Sequence, residues 1–268
     1  MSNKMFSVVI RNKNEASALE NVLHILTKIY ASDIQEIILV DNNSTDNSVE
    51  IANKFHCKVV TIDQFTYGKA INVGIAASES RYVLLLSSHA IPIGNSFFKN
   101  ALKMLSETEN IAGARFINSI ENYNRAINNN FKVAEPLTAG LMAACCVINK
   151  NVWAQFKFDE NLVAIEDKEW SQRVSEAGFE ILDINESYFY FIRRSEKASL
   201  NRYKNETLAS HQLTGKSFPG PFLLLGYLLK KLIVTNTKNY FKAILYDIST
   251  LKAKLEISNK LKKNGKNR

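Results

Sequence analysis

Short apolar runs and amphipathic stretches alternate along the first half of the chain. "FSVVI" (6–10), "EIILV" (36–40), "KVVTI" (58–62) and "YVLLL" (82–86) are compact, mostly β-branched or leucine-rich runs, the pattern of buried strands. Between them, "EASALENVLHILTKIY" (15–30) sets Leu19, Val22, Leu23, Leu26 and Ile29 at helical spacing. "STDNSVEIANKF" (44–55) opens with hydroxyl and Asp cap candidates and reads as a helix, as does "KAINVGIAAS" (69–78). Strand–helix–strand units of this length predict an α/β fold: a mostly parallel sheet flanked by helices. Such sheets bind ligands beyond the carboxyl ends of their strands. That directs attention to loops 11–14, 41–46, 63–68 and 87–94.

After residue 111 the pattern loosens. "IAGARFI" (111–117) and "GLMAACCVI" (140–148) read as strands, and "NSIENYNRAINNNFKVAEP" (118–136) as a polar loop or mobile segment. A helix is predicted over 167–177 and short strands near 180–183 and 187–191. From 199 onward the chain looks helical, with Pro219 and Pro221 as a break. The expected organisation is a sheet domain over 1–198 and a helical, basic extension over 199–268.

Charge sharpens that division. The chain carries a net +8, yet residues 226–268 hold eleven Lys and Arg against only Asp247 and Glu256. The body is close to neutral and the tail strongly basic. In the tail, Phe241, Ile244, Ile248, Leu251, Leu255 and Leu261 form one apolar stripe among lysines. Packing on the body, self-association through the C-terminal helices, and peripheral contact with an anionic membrane all suit that stripe. "PGPFLLLGYLLKKLIV" (219–234) is too short and too interrupted to span a bilayer. Nucleic acid is not an expected partner, because no groove-reading motif accompanies the charge. No signal peptide is visible, and Cys57, Cys145 and Cys146 lack metal-ligand spacing. Both features suit a reducing cytoplasm.

Several loops carry candidate chemistry. "RNKNE" (11–15) follows the first strand and "DNNSTDNS" (41–48) the second. A strand-end carboxylate such as Asp41 can accept from a base or ribose, or can merely end the strand while Ser44 or Thr45 caps a helix. Gly68 permits close backbone approach and Lys69 can neutralise phosphate. Glu166, Asp167 and Glu169 cluster at a helix start, where acidic residues also complement the dipole. Ser87, Ser88 and His89 end the fourth strand.

Taken in order, "SVVIRNKNE", "EIILVDNNSTDNSVEIA", "GKAINVGI", "YVLLLSSHAIP" and "IEDKEWSQRVSEAGFEI" resemble an inverting family 2 glycosyltransferase with the GT-A fold, over about residues 5–195. The resemblance implies a nucleotide-sugar co-substrate and a glycan or lipid-linked glycan acceptor. It implies a place in bacterial surface-polysaccharide or glycan synthesis, in the cytoplasm or on the inner membrane face. It implies that Arg11, Asn12, Glu15, Asp41, Asn43, Gly68, Lys69, Ser87, Ser88 and His89 surround the sugar donor. It makes Asp167 the general base, supported by Glu166, and 139–145 the acceptor-side segment.

The departure lies at 87–89. The family usually places Asp-x-Asp there to grip Mg²⁺ or Mn²⁺, whereas this chain has Ser87 and His89, a form that resembles a bacterial subset. Neutral imidazole suits Mn²⁺ better than Mg²⁺, and a protonated His89 could pair with the diphosphate in place of a metal. The need for a divalent ion stays open. His89 is one candidate metal ligand; His211 is the other, because the family sometimes supplies a late histidine. Two rivals remain: a binding or scaffold module that has lost catalysis, and a sugar nucleotidyltransferase. The second needs a Gly-rich loop after the first strand, and "RNKNEAS" has no glycine.

Overall fold

The structure, a computed structural model, describes residues 5–192, 194–215 and 217–265. The chain divides into two compact units, one ending at Thr214 and the other beginning at Gly215.

The first unit is an α/β body. Strands β1 (Phe6–Asn12), β2 (Ile34–Asp41), β3 (Lys58–Thr61) and β4 (Tyr82–Ser87) are mutually parallel, in the order β3-β2-β1-β4. They are linked by α1 (Ala16–Ile29), α2 (Ser48–Lys54) and α3 (Tyr67–Ala77). Strands β5 (Ala90–Pro92), β6 (Ile111–Ile117), β7 (Cys145–Asn149) and β8 (Glu180–Tyr190) extend the sheet in the order β7-β6-β8-β5. Strand β7 runs antiparallel to β4 and β6, β6 is parallel to β8, and β5 is antiparallel to β8. Helices α4 (Phe97–Glu107), α5 (Ile120–Asn128), α6 (Pro136–Ala139), α7 (Lys150–Gln155), α8 (Glu166–Glu176) and α9 (Glu196–Thr214) complete the unit.

Strand alternation builds two cores and aims the site. On β1, Phe6, Val8 and Ile10 face the layer of α1 and α4, while Val9 faces α3. Arg11, two residues beyond Val9, therefore emerges on the α3 side. It lies in register with Ser87 of β4. Gly74 lets α3 lie close on this face: an added Cβ would stand 2.3 Å from Val9 Cγ1. The three cysteines are buried and unpaired.

Four expectations change. Residues 118–136 do not form a loop throughout: α5 starts at Ser119, whose hydroxyl accepts from the Asn122 amide, and Ala126 is buried beneath it. The run of asparagines lowers helix propensity, and tertiary packing overrides it. The helix expected from residue 44 begins at Ser48, because Ser44 and Thr45 are tied to Asp41 and Asn14. Strand 140–148 begins only at Cys145. The two short strands expected near 180–183 and 187–191 are the single strand β8.

The late start of β7 has an electrostatic cause. Arg115 on β6 is buried and pairs with buried Asp183 on β8, Nη2 reaching Oδ2 at 3.1 Å. Its Nη1 also donates to the carbonyls of Ala139 and Gly140, the latter at 2.8 Å. Those carbonyls are held by a side chain and not by a strand ladder, so 140–144, between α6 and β7, stays irregular.

The second unit is helical: α10 (Pro221–Lys230), a π-helical stretch Lys231–Asn236, and α11 (Thr237–Gly265). Among the described residues no helix is long and apolar enough to cross a membrane.

The buried ion pair yields a stability test. Asp183→Asn leaves the Arg115 charge buried without a counterion and should cost about 3–5 kcal/mol. Chemical denaturation midpoints measure it, and Arg115→Met combined with Asp183→Leu should cost less than Asp183→Asn alone.

Candidate active site

The first turn of α8 carries adjacent carboxylates in unlike environments. Ile165, immediately before it, sits in the left-handed region at φ 59°, an unfavourable place for a β-branched residue. That turn swings Glu166 inward, where it is 5% exposed. Asp167 is partly exposed: Oδ2 accepts from the Ala143 amide and Oδ1 from the Lys168 amide, both at 2.9 Å. Helix α8 is fixed from behind. Trp170 stacks on Phe158 with ring centroids 5.0 Å apart, and its indole N–H donates to the Phe156 carbonyl at 2.6 Å. Ser171 takes the Leu141 amide at 2.9 Å and donates to the Asp167 carbonyl at 2.5 Å. Glu169 is clamped by Arg173 one turn on, outside this group.

Arg11 joins these parts. Its Nη2 donates to the Ala143 carbonyl at 2.9 Å, and its Nη1 lies 3.7 Å from Glu166 Oε1. Nη1 is buried and, among the described residues, has no hydrogen-bond acceptor. The guanidinium lies 5.6 Å from the ring centre of Tyr67 at the start of α3. Burial, then the neighbouring Asp167 charge, raises Glu166 from its ordinary 4.5 to about 7, against the pull of Arg11. Burial also raises Asp167, although the Ala143 amide and Arg11 oppose it. Two adjacent carboxyls, one positive charge and an unfilled donor make a site suited to holding or moving a proton.

The second group closes the ends of β1 and β2. Asp41 is 1% exposed. Its Oδ2 accepts from the Ser44 amide at 2.8 Å, and its Oδ1 from the Ser44 hydroxyl at 2.6 Å and Asn12 Nδ2 at 3.3 Å. Asn12 also reaches the Ser44 hydroxyl at 3.2 Å, so it ties two strand ends together. Asn43, left-handed at φ 50°, donates to the Ile62 carbonyl at 3.3 Å. Here Asp41 shapes the loop as much as it could bind a ligand.

The third group surrounds His89. Its ring Nε2 is 3.3 Å from Glu15 Oε1, and its ring meets Phe191 edge-on with centroids 5.6 Å apart. The Ser87 hydroxyl accepts from the His89 amide at 3.2 Å, the Ser87 amide donates to the Ala144 carbonyl at 2.8 Å, and Ser88 is buried. The backbone from Ser87 to His89 thus connects the segment beside Asp167 to the Glu15 side. Among the described residues no cluster of three or more His, Cys, Asp or Glu could hold a metal. The His89 nitrogen and Glu15 oxygen make a two-donor set. That set fits a borderline ion taking its remaining ligands from a diphosphate, and fits Mg²⁺ poorly.

Gly68 is explained by packing: an added Cβ would lie 2.2 Å from the Asp159 carbonyl oxygen. The Lys69 amide donates to the Thr66 hydroxyl at 3.1 Å, capping α3. His211 is partly buried on α9. On the same helix Glu206, paired with Arg202 at 2.6 Å, adds to the upward push on Glu166. Sequence reading missed Tyr67, Ala143, Ser171 and Asn72. Asn72 Nδ2 donates to the Phe158 carbonyl and Glu160, and its Oδ1 accepts from Trp153, each at 2.9 Å. It braces the segment leading to α8. An asparagine amid the apolar positions of α3 was the available signal.

The family described as "Glycosyl transferase family 2" matches residues 7–159. A search of curated proteins finds no match. Among solved structures, a mannosyltransferase from Pyrobaculum calidifontis in complex with GDP-Man and Mn²⁺ is 14% identical, with a TM-score of 0.63, covering 81% of this chain and 65% of its own. This chain thus spans just under two thirds of that enzyme's length. Glucosyl-3-phosphoglycerate synthase from Mycobacterium tuberculosis, in complex with Mn²⁺ and UDP-glucose, is 18% identical, with a TM-score of 0.60 and 81% coverage of each chain. Likeness at these identities is likeness of fold.

The raised Glu166 carboxyl sets a pH test. Its folded-state value lies above its unfolded one, so the contribution is complete below about 4.5 and is lost as pH rises through about 7. Glu166→Gln removes that loss. Between pH 5 and 8 the variant should gain on wild type by at most about 3 kcal/mol, read from denaturation midpoints at each pH.

Proposed function

The chain belongs to glycosyltransferase family 2, and from that premise we propose that it transfers a sugar from a nucleotide sugar to an acceptor hydroxyl with inversion, using Asp167 as general base. The observation that carries this reading is the meeting of Arg11, Ala143, Glu166 and Asp167 at one place. Inversion is typical of the family. We assign the acceptor to the glycan class, free or lipid-linked, in surface-polysaccharide or related glycan synthesis, on family grounds alone.

In the proposed step, an Asp167 oxygen takes the acceptor proton as the acceptor oxygen attacks the anomeric carbon. The nucleoside diphosphate departs from the opposite face. Each Asp167 oxygen has one backbone N–H partner, which leaves a second lone pair to accept that proton. Glu166, held next to Arg11, keeps the pair from carrying two full negative charges at neutral pH and orients Arg11. The unfilled Nη1 of Arg11 suits a hydroxyl or phosphate oxygen of the sugar donor. The loops of Asn12, Asp41 and Asn43 take the nucleoside side, and Lys69 contributes positive charge near the diphosphate.

The Ser87-Ser88-His89 loop is read as a diphosphate site with altered ligands. A bound Mn²⁺ or Mg²⁺ would offset charge on the leaving diphosphate, with His89 and Glu15 as its protein ligands; His211 stays a further candidate. Structurally similar enzymes hold GDP-Man or UDP-glucose with Mn²⁺, so these are the first sugar donors to test. The basic C-terminal helices suit self-association or peripheral membrane contact.

Two experiments follow. Asp167→Asn keeps shape and removes basicity, so turnover should fall by about 10²-fold or more while nucleotide affinity by calorimetry is retained. Near-wild-type turnover removes Asp167 from the role. His89→Ala should slow turnover in Mn²⁺, and wild type should respond to Mn²⁺ more than to Mg²⁺ against an EDTA baseline. Full activity of His89→Ala in all three conditions makes His89 structural. Nucleotide binding without turnover of any sugar donor supports the scaffold reading.

A further inference from the structure

The second unit has an unusual surface. In α10, Phe222, Leu223, Leu224, Leu225, Tyr227, Leu228 and Leu229 are all exposed, Phe222 at 92%. Leu232, Ile233 and Val234 continue this exposure through the π-helical stretch. These residues occupy successive positions, so the apolar surface runs around the helix and not along one stripe. A helix that is apolar all round needs an apolar medium on every side. The all-round apolar part is 221–229; with the Lys230-Lys231 pair and the stretch to Asn236 the segment has 16 residues, about 24 Å of helix against the roughly 30 Å of a hydrocarbon core. It is too short to span and too apolar to remain in water.

Helix α11 differs. Phe241, Leu245, Ile248, Leu251 and Leu255 are exposed along one side at helical spacing; Lys238, Lys242 and Lys254 lie beside or opposite that stripe, and Lys252 stands at its border, where its long stem can carry the charge up to the headgroups. This is the pattern of a helix lying in a bilayer interface, apolar side inward and lysines toward headgroups. Lys230 and Lys231, at the junction after α10, have stems long enough to carry their charges up to the headgroups. By sequence, residues 226–268 hold eleven basic against two acidic side chains. A second copy would set two strongly positive tails against each other. An anionic lipid surface meets the charge and the apolar area together.

We propose that residues 221–265 form a monotopic membrane anchor. The apolar turns on either side of Lys230 and Lys231 dip into one leaflet of an anionic bilayer, those two lysines reach its headgroups, and α11 lies flat at its surface. The proposal stands on the second unit alone and is independent of the sugar-transfer reading.

Flotation of the full chain with vesicles tests it. Strong binding is expected to phosphatidylcholine vesicles containing one quarter phosphatidylglycerol, and weak binding to phosphatidylcholine alone. Each lysine near such a surface contributes up to about five-fold in affinity. Lys252→Gln with Lys254→Gln should therefore weaken binding several-fold, up to about 25-fold, and high salt should also weaken it. Leu224→Gln with Leu228→Gln leaves the charge unchanged and should also weaken binding to the anionic vesicles by ten-fold or more. All four positions are exposed, and circular dichroism verifies that the variants fold. Asp167→Asn should float as wild type does, which separates this test from that of catalysis. Equal binding by both double variants and wild type overturns the proposal. So does a stable dimer by light scattering that fails to float and becomes monomeric in the Leu224→Gln, Leu228→Gln variant.

Discussion

The candidate site depends on one segment, Ala139 and the irregular residues 140–144, being held by charge from two directions. From behind, the buried guanidinium of Arg115, neutralised by Asp183, grips the Ala139 and Gly140 carbonyls. From the front, Asp167 accepts the Ala143 amide while Arg11 takes the Ala143 carbonyl. Backbone that would otherwise extend β7 is thereby diverted past the carboxylates. A buried charge pair is weak evidence for stability, but it is strict about geometry, since neither partner tolerates being left alone. Positioning Asp167 is therefore a property of the sheet's far half as much as of α8.

The carboxylate pair works through inequality. Glu166 is buried beside a cation with which it makes no hydrogen bond, and Asp167 is more open with both oxygens on backbone amides. Burial raises both, most clearly Glu166. The strained backbone at Ile165 creates the difference by turning the two side chains into separate surroundings. Strain of this kind persists only where neighbouring contacts over-determine it, and Trp170, Ser171 and Asn72 supply those contacts.

The fourth-strand loop ends in hydroxyls and an imidazole, and its carboxylate neighbour, Glu15, comes from the loop after β1. A serine and a histidine leave one imidazole at the end of the fourth strand, steadied by Glu15 and Phe191.

Much of this was legible in the residues. Strand alternation and the order of the loops carried the α/β fold and the positions of the first four strands, and named Arg11, Glu166 and Asp167 as candidates without showing that they meet. These depend on periodicity, on local turn chemistry and on a motif order that each stretch expresses by itself. The polar helix α5 was hidden, because asparagines weaken propensity and only Ala126 and the contacts beneath it fix the helix. The late start of β7, the packing role of Gly68 against Asp159 and the brace at Asn72 were hidden too. Each depends on a partner distant in the chain, 86 residues away for Asn72 and Phe158. The sequence alone determined which residues could do chemistry. Tertiary structure decided which of them share one environment, because burial and charge pairing belong to the space between segments and not to any single one of them.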